Sequence, residues 1–155
     1  MMNGKLVIRA AMPEDGKQIG QLIFDTVRTI NCKDYNQQQV EAWVPDPFIY
    51  ASFEERGAYV ADLEGRIVGF GNLTMAGYLH RFYVHKDFQR QGIGLLLLEA
   101  LEARARALKL KEMTTEASIT AKSFFLARGW KIQAKQIVVL RGISFINYKM
   151  SKALS

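Results

Sequence analysis

The sequence holds one cysteine, three prolines and no long unbroken apolar run in its 155 residues. A single thiol, Cys32, excludes an intrachain disulfide, and the expected setting is a reducing cytoplasm. No base stands beside Cys32 in sequence, so it reads as a small half-buried packing residue, not a nucleophile. The run Leu95–Leu98 falls far short of the roughly 18 apolar residues of a membrane span, so no membrane partner is expected. The opening MMNGKLVIRA lacks the cationic-then-apolar pattern of a signal peptide. The formal charge is +6, yet like charges never run five or six together. Scattered basic residues do not make a polynucleotide track, and nucleic acid is not the expected partner. No metal is expected either.

What is present is the balance of an ordinary globular protein, 49% hydrophobic and 23% charged, in a length that suits one domain, 1–155. KLVIRAA reads as a first strand. MPEDGKQIGQLIFDTVRTI reads as a helix whose Ile19, Leu22, Ile23, Val27 and Ile30 form one buried stripe. NQQQVEAWVPDP reads as a short helix stopped by Pro45 and Pro47. AYVADLEGRIVGFGNLT is a hairpin about Glu64-Gly65, and GYLHRFYV the next strand. A long helix follows from Gly92 to about Lys109, its basic last turns suiting the dipole. EMTTEAS is a strand, TAKSFFLARGW a helix ending at Gly129, and KIQAKQIVVL with ISFINYKMS a closing hairpin about Arg141-Gly142. The order β-α-α-β-β-β-α-β-α-β-β belongs to a layered α/β domain of mixed sheet type.

Two glycines at the opening of the most regular helix stand out in FQRQGIGLLLLEALEARA. Each costs up to about 1 kcal/mol relative to alanine inside a helix. One reading is a phosphate cradle, because a helix N-terminus offers about four unpaired N–H groups and roughly half a positive charge. Gln89, Arg90 and Gln91 then add donors and charge at its rim. The other reading is close packing of helix on sheet. Spacing alone leaves both open, but it excludes two common nucleotide loops. A Gly-x-Gly-x-x-Gly pattern would need glycine at Leu97, and a P-loop would need Lys after its last glycine, where Leu95 stands.

The stretch YVHKDFQRQGIG resembles the pyrophosphate-binding motif of the GNAT superfamily of N-acetyltransferases, Gln/Arg-x-x-Gly-x-Gly/Ala, with Gln89, Gly92 and Gly94 in its fixed positions. LHRFYVH resembles the family's central strand, AKSFFLARGW its downstream Ala-x-x-Phe-Tyr-x-x-x-Gly-Phe helix, and NYKMSKAL its closing strand. The resemblance implies a mixed, largely antiparallel sheet of about six or seven strands flanked by about four helices, splayed between the fourth and fifth strands. It implies acetyl-CoA as cosubstrate, with its pyrophosphate on the amides of Gln91, Gly92, Ile93, Gly94 and Leu95. Its pantetheine arm would pair with Phe82, Tyr83 and Val84, and Phe124 and Ser118 would line the other side. Ser118 has a second reading, as the cap of the helix from Ile119. Dimerisation is common in the family, so a homodimer is compatible with the resemblance.

Acetyl transfer to an amine needs the amine neutral, the oxyanion stabilised and the departing thiolate protonated. An alkylammonium of pKa about 10.4 needs a base at pH 7. Strand alternation puts Tyr78, His80, Phe82 and Val84 on one face, which makes His80 the candidate base. The same strand resembles that of arylalkylamine N-acetyltransferases, where a histidine at this position helps remove the amine proton. The competing reading of His80 is a strand histidine bonded to a neighbouring backbone group. His85 is expected to face solvent or the cofactor's phosphates. The family's general-acid tyrosine falls on Phe125, which has no proton to give. The remaining phenols are Tyr148, taken as the catalytic candidate, with Tyr83 and Tyr35. A backbone N–H near Phe82 or Tyr83 is the expected oxyanion donor. Tyr35, Trp43 and Phe48 read as an aromatic acceptor wall or as loop packing. The acceptor is expected to be a primary amine of a small molecule or a protein, reached by direct attack. The alternative is an acetyl-CoA-binding regulator with weak or no turnover.

Overall fold

A computed structural model describes residues 4–154. Seven strands form one sheet among the described residues, in the order β1-β2-β3-β4-β5-β7-β6. They are β1 Leu6–Ala10, β2 Ala58–Leu63, β3 Arg66–Leu73, β4 Tyr78–Val84, β5 Glu112–Ser118, β6 Lys131–Leu140 and β7 Ile143–Ala153. Every neighbouring pair is antiparallel except β4 and β5. Four α-helices lie among the described residues, α1 Gly16–Thr29, α2 Gln37–Trp43, α3 Ile93–Ala107 and α4 Lys122–Leu126. The element order and the mixed sheet agree with the expectation from sequence, as does the parting of the fourth and fifth strands.

The helices take opposite faces. On one side Ile19, Leu22, Ile23 and Val27 of α1 pack with Val40 of α2, Val60, Phe70 and Phe145. On the other, Leu97, Leu98, Leu101 and Ala105 of α3 pack with Leu79, Met113, Phe125, Trp130 and Met150. Alternation along β3 allows this, because Phe70 points to α1 while Gly69 and Gly71 point to α3. A methyl group at Gly71 would stand 2.8 Å from Leu101 Cδ1, and one at Gly69 would meet Ile93 and Leu97. Helix α3 therefore lies directly on the backbone of β3.

Local chemistry sets the ends of the short helices. Asn36 and Gln39 form a reciprocal box at the start of α2, each side-chain oxygen accepting from the other residue's N–H at 2.8 and 2.9 Å. The helix stops at Trp43, two residues before Pro45. Gln39 Nε2 donates to Ser144 O, and Arg141 Nη1 donates to Ala42 O, fastening α2 over the last hairpin. Helix α4 is shorter than expected, five residues. Trp130 N donates to Phe125 O across a left-handed Gly129, which ends the helix and buries the indole. Cys32 is exposed, contrary to the expected half-burial, because it lies in the single turn Asn31–Lys33 after α1.

The two faces of α3 give a direct test of this packing. Leu101→Ala, at a site with no exposure, should lower unfolding free energy by about 2–5 kcal/mol in urea titrations. Leu96→Ala, 46% exposed on the same helix, should change it by no more than about 0.5 kcal/mol.

Candidate active site

Strands β4 and β5 pair only at Tyr78 with Thr114 and Leu79 with Thr115. Thr115 Oγ1 donates to Leu79 O at 2.8 Å and closes the last rung. Beyond it the strands diverge into a cavity of about 550 Å³ lined by β4, β5, α4 and the aromatic side chains under α2. His85 N donates to Val68 O on β3. By the period of an antiparallel ladder, Tyr83 N–H also points to β3, and Phe82 and Val84 N–H point into the gap.

A β-bulge breaks the alternation expected along β4. Asn72 pairs with Arg81 and Leu73 with Leu79, so His80 has no partner on β3. The Asn72 Oδ1 atom accepts from Arg81 N at 2.9 Å and holds the bulge in place. Leu79 and Phe82, three residues apart, consequently share the α3 side. Tyr83 packs toward α1 and α2. His80 stays with Tyr78, ring centroids 5.7 Å apart, and is not on the face of Phe82 and Val84 as alternation predicts.

His80 is exposed to the cavity and makes no hydrogen bond to another described residue. Partial burial, with help from the Arg81 charge, pushes its pKa below the ordinary imidazole value. The ring is thus neutral at pH 7 and able to accept a proton. Glu116 of β5 lines the same cavity and acts weakly in the opposite direction.

The loop before α3 gives its two glycines different work. Gly92 adopts φ +84° with open space about its α-carbon, so it is there for the left-handed turn that starts the helix. Gly94 has helical geometry, and a methyl group on it would come within 3.0 Å of the Phe124 ring. The first hydrogen bond of the helix runs from Leu96 N to Gly92 O. The N–H groups of Gln91, Gly92, Ile93, Gly94 and Leu95 have no acceptor among the described residues. Gln91 Oε1 is buried without a partner. Five free donors and an adjoining slot fit a polyphosphate with an extended arm.

Other expected site residues are placed as follows. Gln89 lines the cavity, but its amide donates to Val84 O at 2.6 Å and to His85 O, so it staples the loop to β4 instead of presenting donors at the rim. Arg90 is exposed, in a left-handed conformation. Phe124 lines the cavity against Phe82, centroids 5.4 Å apart, with Arg128 stacked 3.9 Å over it. Ser118 lines the cavity too, and its Oγ accepts from Ala121 N at the turn into α4. His85 is buried against Phe88 with Arg66 at its Nε2 and Asp87 N–H at its Nδ1, so it faces neither solvent nor the loop donors.

The phenols differ in reach. Tyr35 donates to Ile146 O and accepts from Ile119 N, and is spent on holding β7 to the β5–α4 turn. Tyr83 accepts from Trp43 Nε1, and burial pushes its pKa far up. Tyr148 does not line the cavity; it follows Asn147, which does, and its ring carries the Lys122 ammonium 4.4 Å above it. Phe125 is buried against Phe82, Phe124 and Trp130. Tyr35, Trp43 and Phe145 form one aromatic wall with centroids 5.4 to 6.1 Å apart, whereas Phe48 is 68% exposed and outside it. Sequence reasoning passed over Arg81 and Glu116, which reach the cavity through the bulge and the strand divergence; no local signal marks either.

The comparisons with known proteins agree with this geometry. A family model described as an acetyltransferase (GNAT) domain matches residues 31–152. An uncharacterized N-acetyltransferase of Escherichia coli, YafP, is 28% identical over 145 residues, covering 92% of this chain and 93% of its own. A GCN5-related N-acetyltransferase from Rhodopseudomonas palustris superposes with a TM-score of 0.90 at 29% identity over 99% of both chains. The PaiA N-acetyltransferase of Thermoplasma acidophilum, solved with coenzyme A, superposes with a TM-score of 0.78 at 15% identity, over 97% of this chain and 99% of its own. With a family match across most of its length, the chain belongs to the GNAT acetyltransferase family.

Proposed function

We propose that this protein moves an acetyl group from acetyl-CoA to a primary amine bound beside it, by direct attack in a ternary complex. The observation that carries the reading is the row of five unfilled main-chain donors from Gln91 to Leu95 at the head of the gap between β4 and β5. In support, PaiA was solved with coenzyme A, and YncA of Salmonella typhimurium, of similar fold at a TM-score of 0.67, with acetyl-CoA.

The loop donors would hold the pyrophosphate, and Phe82 and Val84 N–H would pair with the pantetheine amides along the strand edge. Phe124 and Ser118 would close the other side of the slot. The bound cosubstrate supplies an activated thioester. His80 takes the amine proton, directly or through a water. Its depressed pKa leaves it unprotonated at pH 7, and it lines the same cavity as the aromatic wall. A β4 N–H facing the gap is the donor for the developing oxyanion. Phe125 gives no proton to the leaving thiolate, and the Tyr35 and Tyr83 phenols are committed elsewhere. A coenzyme A thiolate can leave unaided, so the lack of a phenol slows transfer without forbidding it. Phe125 also favours a second reading, a regulator that binds acetyl-CoA and turns it over weakly.

Calorimetry with acetyl-CoA tests the cradle. Micromolar binding is expected for the unaltered protein, weakened about a hundredfold or more by Gly92→Glu, which sets a carboxylate among the donors. No binding to the unaltered protein removes both readings. Thiol release over a panel of primary amines separates the two: turnover supports transfer, and activity arising only with Phe125→Tyr supports the regulator.

The role of His80 has its own signature. The acid limb of kcat/KM should fall below pH of about 6.5, the ordinary imidazole value, because burial and Arg81 disfavour the charged ring. His80→Gln should lower kcat by about a hundredfold or more and abolish that limb. An unaltered pH profile in the variant would dismiss His80 as the base.

A further inference from the structure

Arg81 and Glu116 carry no assigned role, and both line the cavity. Arg81 follows His80 on the bulge, so its side chain shares the α2 side and lies 4.8 Å over the Tyr50 ring. It forms no ion pair and no side-chain hydrogen bond among the described residues. Tyr50 is itself fixed by donating its hydroxyl to Trp43 O. Stacking on a ring holds a guanidinium in place but supplies no counter-charge. Its fork of donors remains free to take a carboxylate in two parallel hydrogen bonds.

Glu116 stands on β5, across the gap from β4. Lys149 is its register neighbour on β7, yet the two form no ion pair. The charged residues lining the cavity are thus Arg81, Arg141 and Glu116, two cations to one anion. That balance disfavours a polyamine, whose second ammonium would meet a guanidinium. It suits a zwitterion. The apolar remainder of the acceptor side is the wall of Tyr35, Trp43 and Phe145, which suits an apolar or aromatic side chain.

We infer that the acceptor is a free amino acid with an apolar or aromatic side chain, its carboxylate held by Arg81 and its ammonium by Glu116 beside His80. This rests on the acetyl-transfer reading and deepens it. Arg81 binds the part of the acceptor that does not react, and so sets specificity. Glu116 orients the nitrogen toward the ring that takes its proton.

The test compares L-phenylalanine and L-leucine with their carboxamides, which keep the amine and side chain and lose the anion. Each is titrated calorimetrically into protein saturated with coenzyme A, and thiol release from acetyl-CoA is followed in parallel. The carboxylates should bind about tenfold or more tightly than the carboxamides, as a charge-assisted pair implies. Arg81→Gln should bring the ratio close to unity, and Arg81→Lys should restore part of it, in variants whose thermal unfolding matches the parent. Equal or weaker binding of the carboxylates, or a ratio untouched by Arg81→Gln, overturns the inference. The two failures are distinguishable. Thiol release without carboxylate preference strikes only the amino-acid assignment. Preference without thiol release for any amine strikes the transfer reading, and absence of both strikes both.

Discussion

Strands β4 and β5 share two rungs and then part, and the function proposed for the chain depends on that parting. A parallel pair that continued would consume the outward N–H groups of Phe82 and Val84 in an ordinary ladder. Instead Thr115 Oγ1 takes the position of the next donor at Leu79 O, and beyond it no further rung joins the two strands. The bulge at His80 adds local twist to β4 at the same point. A half-buried strand edge with unpaired donors is costly unless water or a ligand reaches it. Past the last rung the edge stays open, and the slot follows from it.

The opening of α3 shows how one motif can serve two physical needs. Spacing left phosphate binding and close packing as rival accounts of Gly92 and Gly94. Geometry divides them: Gly92 is required by its positive φ, in open space, and Gly94 by the Phe124 ring against it. Packing at Gly94 brings Phe124 next to the loop donors, so the slot wall and the cradle are one assembly. Gln89 contributes by tying the loop to the end of β4 through Val84 O. The motif is then less a set of contacts than a way of holding bare amides in a fixed arc.

Much of the fold was legible because its signals are periodic or local. The stripe on α1, the turns at Glu64-Gly65 and Arg141-Gly142, and the proline stop after α2 each depend on a few neighbouring residues. The departures arose where residue type and spacing do not decide which way a group points or what it meets. The Ser118 and Gly129 signals mark a helix between them, but a turn at one end and the Trp130 N–H at the other leave only Lys122–Leu126 as helix. His85 looked available beside a basic loop, yet Arg66, nineteen residues away on β3, covers it. Tyr148 offered a phenol by residue type alone, and its neighbour Asn147 is the one that reaches the cavity. Of these outcomes only that of His85 depends on a partner outside the stretch where it occurs.

The bulge is the least legible feature and the one with the widest consequence. Under strict alternation His80 would share a face with Phe82 and Val84, and Arg81 would point away from it. One unpaired residue reverses this, giving β4 two orientations along seven residues. Its second half turns Phe82 and Val84 toward α3 and the cradle. Its first half turns Tyr78, His80 and Arg81 toward α2, the aromatic wall and any acceptor. A single strand can then address two ligands from opposite sides, with His80, the proposed proton acceptor, at the crossover between them. Asn72 is the residue on which this arrangement rests, because its side-chain oxygen takes the N–H that the bulge detaches from the ladder. Its burial, unusual for an amide side chain, follows from that one hydrogen bond.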